Sequence, residues 1–428
     1  MPRITIPNKP FDLFYRISTP SERDKAQEID EEYETILFFH PFWVDSFYFY
    51  PQFDDPTFYE NYNLIAFDAP AHGSTKVMDI SPDPVTWSYH ATLVKEALTV
   101  LHIPSVHLVG STMGCCPAMH FAAQYPDLSK NLIMSAPPAL TEATNWSLTF
   151  RESMHILINA VKSRDGEPLD AITSVIFDYN ATSHSKRLVK DLEEEYIQLT
   201  RSRLLNGELN GDITVPIVIS LALSRKHIIS DEQAINLKCP VLILQGTLEG
   251  WEENDDQWVD MLEKTRRLYT EQNDGKVCDM QRVVLEGCPR WMTLTHPDLV
   301  NPIIHKFISK FESSISSDPT QDLLQDLKIS HKSTDTTTEN HDNEQKTITD
   351  GGRRRSSTKK PLSPRDKTEF GIQPPQNGIG KSQSSSIGQV LQKDKATVEP
   401  SITQTIPSGS GGASDGVKVK VEVVMKVD

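Results

Sequence analysis

The sequence predicts an α/β fold built on a doubly wound, mainly parallel sheet. Two observations carry this prediction: short apolar runs alternate with helical patterns along the first 310 or so residues, and several of these runs are apolar throughout. Alternation of this kind is typical of crossover units, and uninterrupted apolar runs are typical of strands covered on both faces. The predicted strands are residues 35–40, 63–68, 106–110, 131–136, 241–246 and 281–287.

Helical patterns fill the intervals between these runs. Asp83 before Pro84 predicts a capping residue and a first-turn proline at the start of a helix. Residues 139–235 break the alternation, since they show several helical patterns and little strand character, and we interpret them as an inserted helical cap. The core domain is then 1–138 together with 236–311. Further helices are predicted at residues 113–125, 251–272 and 298–311.

The chain changes character at residue 312. Residues 312–428 are polar and rich in Ser and Thr, which predicts a disordered tail because too little apolar surface is present to offset chain entropy. Ser356, after three arginines, and Ser363, before a proline, are candidate phosphorylation sites. The terminal run "VKVKVEVVMKVD" alternates valine with charge at the period of a strand, so it could also pair with the sheet edge of a partner.

Charge and cysteine content exclude several classes of protein. Residues 1–312 contain 27 Lys and Arg against 44 Asp and Glu, an acidic balance that disfavours nucleic acid or an anionic membrane as partner. The sequence has neither a signal-peptide pattern nor an apolar run long enough to span a bilayer, so we expect a cytoplasmic protein. Five cysteines without metal-ligand spacing predict free thiols, no metal site and no cofactor.

The segment "VHLVGSTMGCC" (106–116) contains the pattern with the clearest chemical meaning. A strand leads into "GSTMG", in which Gly110 and Gly114 flank Thr112, and a helix follows. The segment resembles the nucleophile elbow of the α/β-hydrolase superfamily, where glycines permit a sharp turn and the central side chain stands at the end of the strand. The alternative is a small-residue turn in another doubly wound fold.

Other segments extend the resemblance. "FFHPFW" is similar to the loop that supplies one oxyanion-hole amide, which implies the amide of Phe42, and the elbow implies the amide of Met113 as the second. "QGTLEG" resembles the loop of the catalytic acid and implies Glu249 for that position. "LEGCPRWMTLTHPDLV" resembles the segment of the catalytic histidine, and Arg290 stands at the histidine position.

The triad-equivalent residues are therefore Thr112, Glu249 and Arg290, and this set lacks a base. A guanidinium has a pKa above ~12 and no acceptor atom, so Arg290 cannot take a proton from Thr112. A β-branched residue is also strained at an elbow that requires positive φ. We therefore favour a non-catalytic or weakly active protein. The alternative is a hydrolase of esters, amides or epoxides that uses Thr112 with a relocated base such as His296.

The segment after the oxyanion loop is dense in aromatic residues. His40 and Trp43 are candidates to line a ligand pocket, although packing of the rings against the cap is the favoured interpretation. "FDAPAHGS", "SLALSRKHI" and "LEGCPRWM" resemble segments of the N-myc downstream-regulated proteins, a branch whose members lack a working triad. That branch often has tandem repeats in its tail, and this chain has none. The resemblance implies binding of a small molecule or a protein partner.

Overall fold

The structure is a computed structural model of the 428-residue chain. It describes residues 2–79, 84–140, 144–180, 185–209, 213–223, 229–248, 257–264, 267, 279–312, 402–406 and 417–422.

The described strands form one sheet with the order β1-β2-β4-β3-β6-β7-β8-β9-β11-β10, and β5 pairs with β2 outside this path. The strands are Arg3–Thr5 (β1), Phe11–Ser18 (β2), Thr35–Phe39 (β3), Asn63–Phe67 (β4), Lys76–Val77 (β5), Val106–Ser111 (β6), Ser129–Ser135 (β7), Val241–Gly246 (β8), Met280–Leu285 (β9), Ile402–Ile406 (β10) and Val417–Glu422 (β11).

The described helices flank this sheet. They are Tyr50–Phe53 (α1), Pro56–Tyr59 (α2), Trp87–Val100 (α3), Cys115–Gln124 (α4), Thr144–Ser163 (α5), Glu167–Asn180 (α6), Lys186–Leu205 (α7), Thr214–Leu223 (α8), Asp231–Ala234 (α9), 257–264 (α10), Met292–Thr295 (α11) and Pro297–Glu312 (α12).

The centre of the sheet is parallel, as predicted. β4, β3, β6, β7, β8 and β9 pair in parallel, whereas β1, β2 and β5 form an antiparallel extension at one edge. The apolar runs that predicted the central strands coincide with them to within two residues at each end. The antiparallel edge was not predicted, because polar residues interrupt the apolar residues of β2 and its strand character is less obvious in the sequence.

Both faces of the sheet are buried, which explains the uninterrupted apolar runs. Along β3, Leu37 belongs to the core on the side of α3 and α4, and Phe38 belongs to the core on the side of α1 and α12. Successive side chains of a strand point to opposite faces, so each apolar run supplies two separate cores. All five residues of β3 are buried. The doubly wound architecture is therefore confirmed.

The predicted start of α3 is wrong by three residues. The N-cap is Thr86, whose hydroxyl accepts a hydrogen bond from the Tyr89 amide at 3.1 Å. Asp83 lies outside the described residues. Thr satisfies an orphan helix amide as Asp would. The sequence therefore has two capping signals three residues apart, and the helix uses the one directly before Trp87.

Helices α5 to α9 lie between β7 and β8, where the sequence predicted helices in place of strands. Two of them contact the residues around the sheet. In α7, the buried Arg203 guanidinium donates to the Ala71 carbonyl oxygen at 3.4 Å. In α6, Phe177 packs edge-on against Trp291 with ring centroids 5.1 Å apart. The boundaries of the predicted cap, 139–235, remain an expectation.

Most of the tail, including Ser356 and Ser363, lies outside the described residues. Two segments within it are strands. β11 pairs antiparallel with β9, with Val419 opposite Leu285, and β10 pairs antiparallel with β11. The interpretation of 312–428 as disordered therefore does not extend to these eleven residues. The valine alternation predicted a strand here, and the edge that it joins belongs to the same chain.

Candidate functional site

The elbow has the backbone that the glycine spacing predicts. Thr112 adopts φ +47°, directly after the last residue of β6. A side chain at Gly114 would place its first carbon 2.1 Å from the Phe39 carbonyl oxygen, and one at Gly110 would come within 2.7 Å of Cys115 Cα. Both glycines are required by close backbone approach, so the turn is a built elbow and not a generic small-residue turn.

Thr112 has a strained backbone at this turn, and none of the described residues forms a hydrogen bond with its hydroxyl. A left-handed backbone costs a β-branched residue roughly 1 to 3 kcal/mol, so the structure tolerates the strain without relaxing the elbow. The side chain is 7% exposed. Within the part of the chain that the structure describes, the Thr112 hydroxyl has no hydrogen-bond partner. No described base is therefore hydrogen-bonded to the residue at the nucleophile position.

The predicted oxyanion loop, at residues 40–43, follows β3 and begins beside the elbow. β3 and β6 are parallel neighbours with Phe39 opposite Gly110, and Phe42 and Met113 each lie three residues beyond these partners. Both loops leave the same end of the sheet side by side, which is the placement that the two predicted amide donors require. Phe42 is buried, and Met113 packs against the same core.

His40 stabilises this loop through hydrogen bonds at both of its ring nitrogens. Its Nδ1 donates to the Pro41 carbonyl oxygen at 2.7 Å, and its Nε2 accepts from the Ala69 amide at 2.9 Å. Burial lowers the pKa of His40, which keeps the ring neutral and both roles fixed. Because both ring nitrogens are already hydrogen-bonded to the backbone, the His40 ring has no nitrogen left for a ligand.

Aromatic rings surround the start of the loop. Trp43 has φ +70° and is half-buried. The Phe42 ring packs edge-on against Trp43 at 5.0 Å and against His72 at 4.8 Å between centroids. Burial lowers the pKa of His72 to about 3, so this histidine is neutral. The prediction that Trp43 lines a pocket is compatible with its partial exposure, and Phe42 serves mainly as packing.

The segments predicted to carry the acid and the base lie against each other. A side chain at Gly246 would meet the Cys288 carbonyl oxygen at 2.3 Å, and the Leu248 amide donates to that oxygen at 3.2 Å. Glu249 lies outside the described residues. Arg290 is half-buried and follows Cys288 by two positions, in the turn between β9 and α11. The structure therefore brings the turn before Arg290 to the end of β8, whereas the triad roles of Arg290 and Glu249 stay predictions.

A ring of three buried hydroxyls joins the elbow, the oxyanion loop and the Arg290 segment. Tyr48, on a short 3-10 helix (Ser46–Phe49) after the oxyanion loop, has its hydroxyl 2.9 Å from Ser111 Oγ and 2.8 Å from Thr293 Oγ1. Thr293 Oγ1 is 3.2 Å from Ser111 Oγ. Ser111 precedes Thr112, and Thr293 follows Arg290 by three residues. One phenol thus connects all three segments from which the site is built.

The network continues away from the elbow through amides. Gln52 Nε2 donates to the Thr293 carbonyl oxygen at 2.7 Å and to Asn301 Oδ1 at 2.8 Å. Asn301 Nδ2 donates in turn to Asp55 Oδ2 at 2.7 Å. Sequence reasoning missed this network and the hydroxyl ring. The only signal is the density of aromatic and polar residues at 43–62, which does not reveal partners about 245 residues away.

Two acidic residues, Asp45 and Asp68, lie beside the segment that follows the oxyanion loop. Asp68 accepts from the Ser46 amide at 2.8 Å and from the Ser74 amide at 2.6 Å. Asp45 lies next to it, and burial together with the Asp68 carboxylate raises the pKa of Asp45 to about 6. Gly73 fits between them at φ +49°, since an added carbon would lie 2.2 Å from Asp68 Oδ2. These contacts fix the loop to the turn after β4.

The sequence pattern described as "Alpha/beta hydrolase family" matches residues 36–303, from β3 into α12. The chain belongs to the alpha/beta hydrolase family. This membership agrees with the strand order and with the elbow at Thr112, and it confirms the superfamily that the sequence resembled.

Two named relatives of this alpha/beta hydrolase family member are distant. The "2-hydroxy-6-oxononadienedioate/2-hydroxy-6-oxononatrienedioate hydrolase" of Comamonas testosteroni is 26% identical over 250 residues, which cover 58% of this chain and 77% of the relative. The "Probable lysophospholipase BODYGUARD 2" of Arabidopsis thaliana is 27% identical over 137 residues, 29% of this chain. The match spans only 26% of that second relative's length.

Solved structures share the fold. A thermophilic esterase from Thermogutta terrifontis superposes with a TM-score of 0.53 at 17% identity, covering 73% of this chain and 99% of the esterase. A carboxylesterase structure from Nitrososphaera gargenis gives a TM-score of 0.52 at 14% identity, covering 73% of this chain and all of that one. At these identities the likeness concerns the fold of the alpha/beta hydrolase family alone.

His296, the alternative base, caps the end of α11. Its Nδ1 lies 2.8 Å from Thr295 Oγ1, and its amide donates to the Met292 carbonyl oxygen. The side chain is half-buried. The position lies one helical turn after Thr293, which reaches the elbow through Ser111. His296 is therefore held by its own helix end, close in sequence to a residue at the site.

Among the described residues, no group of three or more His, Cys, Asp and Glu side chains is arranged to hold a metal ion. No helix in the described ranges is long and apolar enough to cross a membrane. The four described cysteines, Cys115, Cys116, Cys239 and Cys288, are buried, and none of them is in a disulfide with another described cysteine.

Proposed function

We propose that this alpha/beta hydrolase family member binds a small molecule at the elbow without hydrolysing it. Thr112, Arg290 and Glu249 occupy the positions of the triad, and the set has no base. The observation that carries the proposal is at Thr112: the residue is 7% exposed, and its hydroxyl has no hydrogen-bond partner among the described residues. A working nucleophile of this type is hydrogen-bonded to its base.

The chemistry at Arg290 supports the same conclusion. A hydrolase of this fold needs a group that accepts the nucleophile's proton near neutral pH and later returns it, and an imidazole does both. A guanidinium stays protonated and only donates. Loss of a triad member leaves the residual catalysis of the oxyanion hole and binding, several powers of ten below the intact enzyme. The elbow and the oxyanion loop are retained and serve as a binding surface.

A hydrolase of esters, amides or epoxides is the second candidate. Relatives are named as hydrolases, and α11 brings Thr293 into contact with Ser111 beside the nucleophile position. In this reading His296, one turn further along, is the base that activates Thr112. This second function requires either that the His296 ring gives up its contact with Thr295 Oγ1 or that its other nitrogen, Nε2, accepts the proton of Thr112.

Turnover of an activated ester separates the two candidates. Purified full-length protein is assayed with 4-nitrophenyl acetate beside Thr112→Ala and a matched control, Thr99→Ala, which removes an exposed hydroxyl on α3. We expect the three proteins to show the same low background rate. Turnover that is lost in Thr112→Ala and kept in Thr99→Ala contradicts the binding function. Loss of the same turnover in His296→Ala then assigns the base.

The proposal also covers the helical cap, the location of the protein and its regulation. Helices α5 to α9 act as the cap that sets ligand choice, and the N-myc downstream-regulated branch supplies the precedent of a member without a triad. The free thiols support a cytoplasmic location. The protein is regulated through its tail, at the candidate phosphorylation sites Ser356 and Ser363.

A further inference from the structure

We infer that the protein has an internal binding site for a water molecule, formed by His72, Trp87 and His90 next to the predicted oxyanion loop. The three side chains come from two segments of the chain. His72 lies in the turn after β4, and Trp87 and His90 lie in the first turn of α3. This water site is independent of the function proposed at Thr112, since it involves neither the elbow residue nor the triad positions.

Ring contacts hold the three side chains in one cluster around Phe42. The Phe42 ring packs edge-on against His72, with centroids 4.8 Å apart, and against Trp87 at 6.2 Å. Trp87 in turn lies 6.4 Å from the His90 ring, which packs edge-on against Phe39 at 6.0 Å. His72, Trp87 and His90 are only 3 to 4% exposed. The cluster therefore belongs to the interior of the protein.

Four nitrogen atoms of this cluster have no hydrogen-bond partner among the described residues. They are His72 Nε2, Trp87 Nε1 and both ring nitrogens of His90. Buried polar atoms in folded proteins are almost always hydrogen-bonded, because an unsatisfied one has lost the hydrogen bonds that water gives it in the unfolded chain. Four such atoms on neighbouring rings indicate that a small hydrogen-bonding molecule is bound among them.

The donors and acceptors of the cluster identify this molecule. His72 Nδ1 lies 3.0 Å from the Pro70 carbonyl oxygen, which only accepts, so Nδ1 carries the proton and Nε2 is an acceptor. Trp87 Nε1 is a donor, and a neutral His90 has one donor and one acceptor. Burial lowers the pKa of His72 and of His90 to about 3, so both rings are neutral at physiological pH. Two donors and two acceptors match a water molecule, which donates two hydrogen bonds and accepts two.

Charged ligands fit the same atoms less well. A metal ion would use only the two acceptor nitrogens, and in the part of the chain that the structure describes no three His, Cys, Asp and Glu side chains are grouped to hold one. An anion would use only the two N–H donors and would leave the acceptors of His72 and His90 unsatisfied. His40 adds nothing to the site, because both of its ring nitrogens are hydrogen-bonded to the backbone.

The bound water connects the turn after β4 with the start of α3. Phe42, in the predicted oxyanion loop, packs against both His72 and Trp87, the residues that hold the water from these two segments. The water site therefore supports the packing surface on which this loop rests.

Solution NMR of the full-length protein, deuterated and labelled with 15N at Trp and His, tests the site. Trp87→Phe assigns the indole signal of Trp87. We expect a direct nuclear Overhauser effect from water to the Trp87 Nε1–H, because a water buried in the interior stays next to this proton. Trp258 is the matched control, since it is also buried but its Nε1–H donates to the Pro138 carbonyl oxygen at 2.6 Å, and it should show no such effect.

Two variants and one further measurement complete the test. His90→Phe keeps an aromatic ring, removes both nitrogens and should reduce the Overhauser effect at Trp87 to the level of Trp258. His120→Phe removes a buried imidazole from α4 and should leave the effect unchanged. In the wild-type protein, the 15N shifts of His72 should show a proton on Nδ1 and a hydrogen-bonded acceptor at Nε2.

Several results would overturn the inference. They are the absence of an Overhauser effect at Trp87, equal effects at Trp87 and Trp258, an effect that is unchanged in His90→Phe, and a His72 Nε2 that accepts no hydrogen bond. A shift of the His72 Nε2 signal on addition of equimolar Zn²⁺ also overturns it, since the site would then take a metal ion.

Discussion

Removing the Tyr48 hydroxyl is the sharpest single test of how the site is assembled. Tyr48→Phe deletes one oxygen and keeps the ring packed edge-on against Trp291. Two hydrogen bonds are lost, at 2.9 Å to Ser111 and 2.8 Å to Thr293. Each such bond contributes about 0.5 to 1.5 kcal/mol net. Ser111 and Thr293 keep each other at 3.2 Å, so neither is fully orphaned, and we expect a total loss of about 1 to 2 kcal/mol.

The assay is urea unfolding at pH 7, followed by tryptophan fluorescence, with the free energy of unfolding extrapolated to water. Tyr62→Phe is the control, because Tyr62 is as buried as Tyr48 and the contact of its hydroxyl with Ser309 is long, 3.5 Å. We expect the control to cost less than about 0.5 kcal/mol. A second comparison combines Tyr48→Phe with Thr293→Val, and the two effects should be non-additive because the residues share a bond. Equal costs for Tyr48→Phe and Tyr62→Phe, or additive effects in the double variant, refute the hydroxyl ring as a structural link.

Three further predictions concern the elbow and the edge of the sheet. Gly114→Ala should destabilise the protein by about 3 kcal/mol or more in the same unfolding assay, because the added carbon would lie 2.1 Å from the Phe39 carbonyl oxygen, and a wild-type midpoint contradicts this. At Thr112, with φ +47°, Gly should be more stable than Ala by about 1 kcal/mol, the reverse of the usual order, and Ala more stable than Gly contradicts a left-handed turn. A hydrogen bond from His107 is the main cause that lowers the pKa of Glu34 from 4.5 to about 2. As the pH falls, the Glu34 carboxylate is protonated in the unfolded chain before it is protonated in the folded protein. This stabilisation is therefore complete above pH 4.5 and is lost as the pH falls toward 2. Discounted for the partial exposure of the side chain, the loss is about 1 to 2 kcal/mol, and Glu34→Gln should remove it from the pH dependence of unfolding.

The central strands can be predicted from the sequence because a strand buried on both faces is an uninterrupted apolar run. β8 is predicted at its observed bounds, and β3 differs by one residue at one end. The elbow is equally local: three positions, Gly110, Thr112 and Gly114, define the turn, and the structure has the positive φ that this spacing requires. Where steric rules act over a few residues, sequence reasoning succeeds.

The contacts that complete the site are not local, and the sequence does not reveal them. Tyr48 meets Ser111 across 63 residues and Thr293 across 245. Serine, threonine and tyrosine are common, and nothing in their local patterns indicates which of them become neighbours when parallel strands are brought together. The roles of His40 show the same limit, since both of its ring nitrogens are used for partners that depend on the folded loop.

Mass spectrometry of the wild-type protein after treatment with a fluorophosphonate tests the central claim most directly. Such a reagent modifies an elbow hydroxyl only where a base removes its proton. If, as we propose, no base acts on Thr112, no adduct forms on this residue over hours at pH 7 to 8, with a family esterase labelled in parallel as the positive control. Stoichiometric labelling that maps to Thr112 and disappears in Thr112→Ala contradicts the claim and makes the chain a hydrolase.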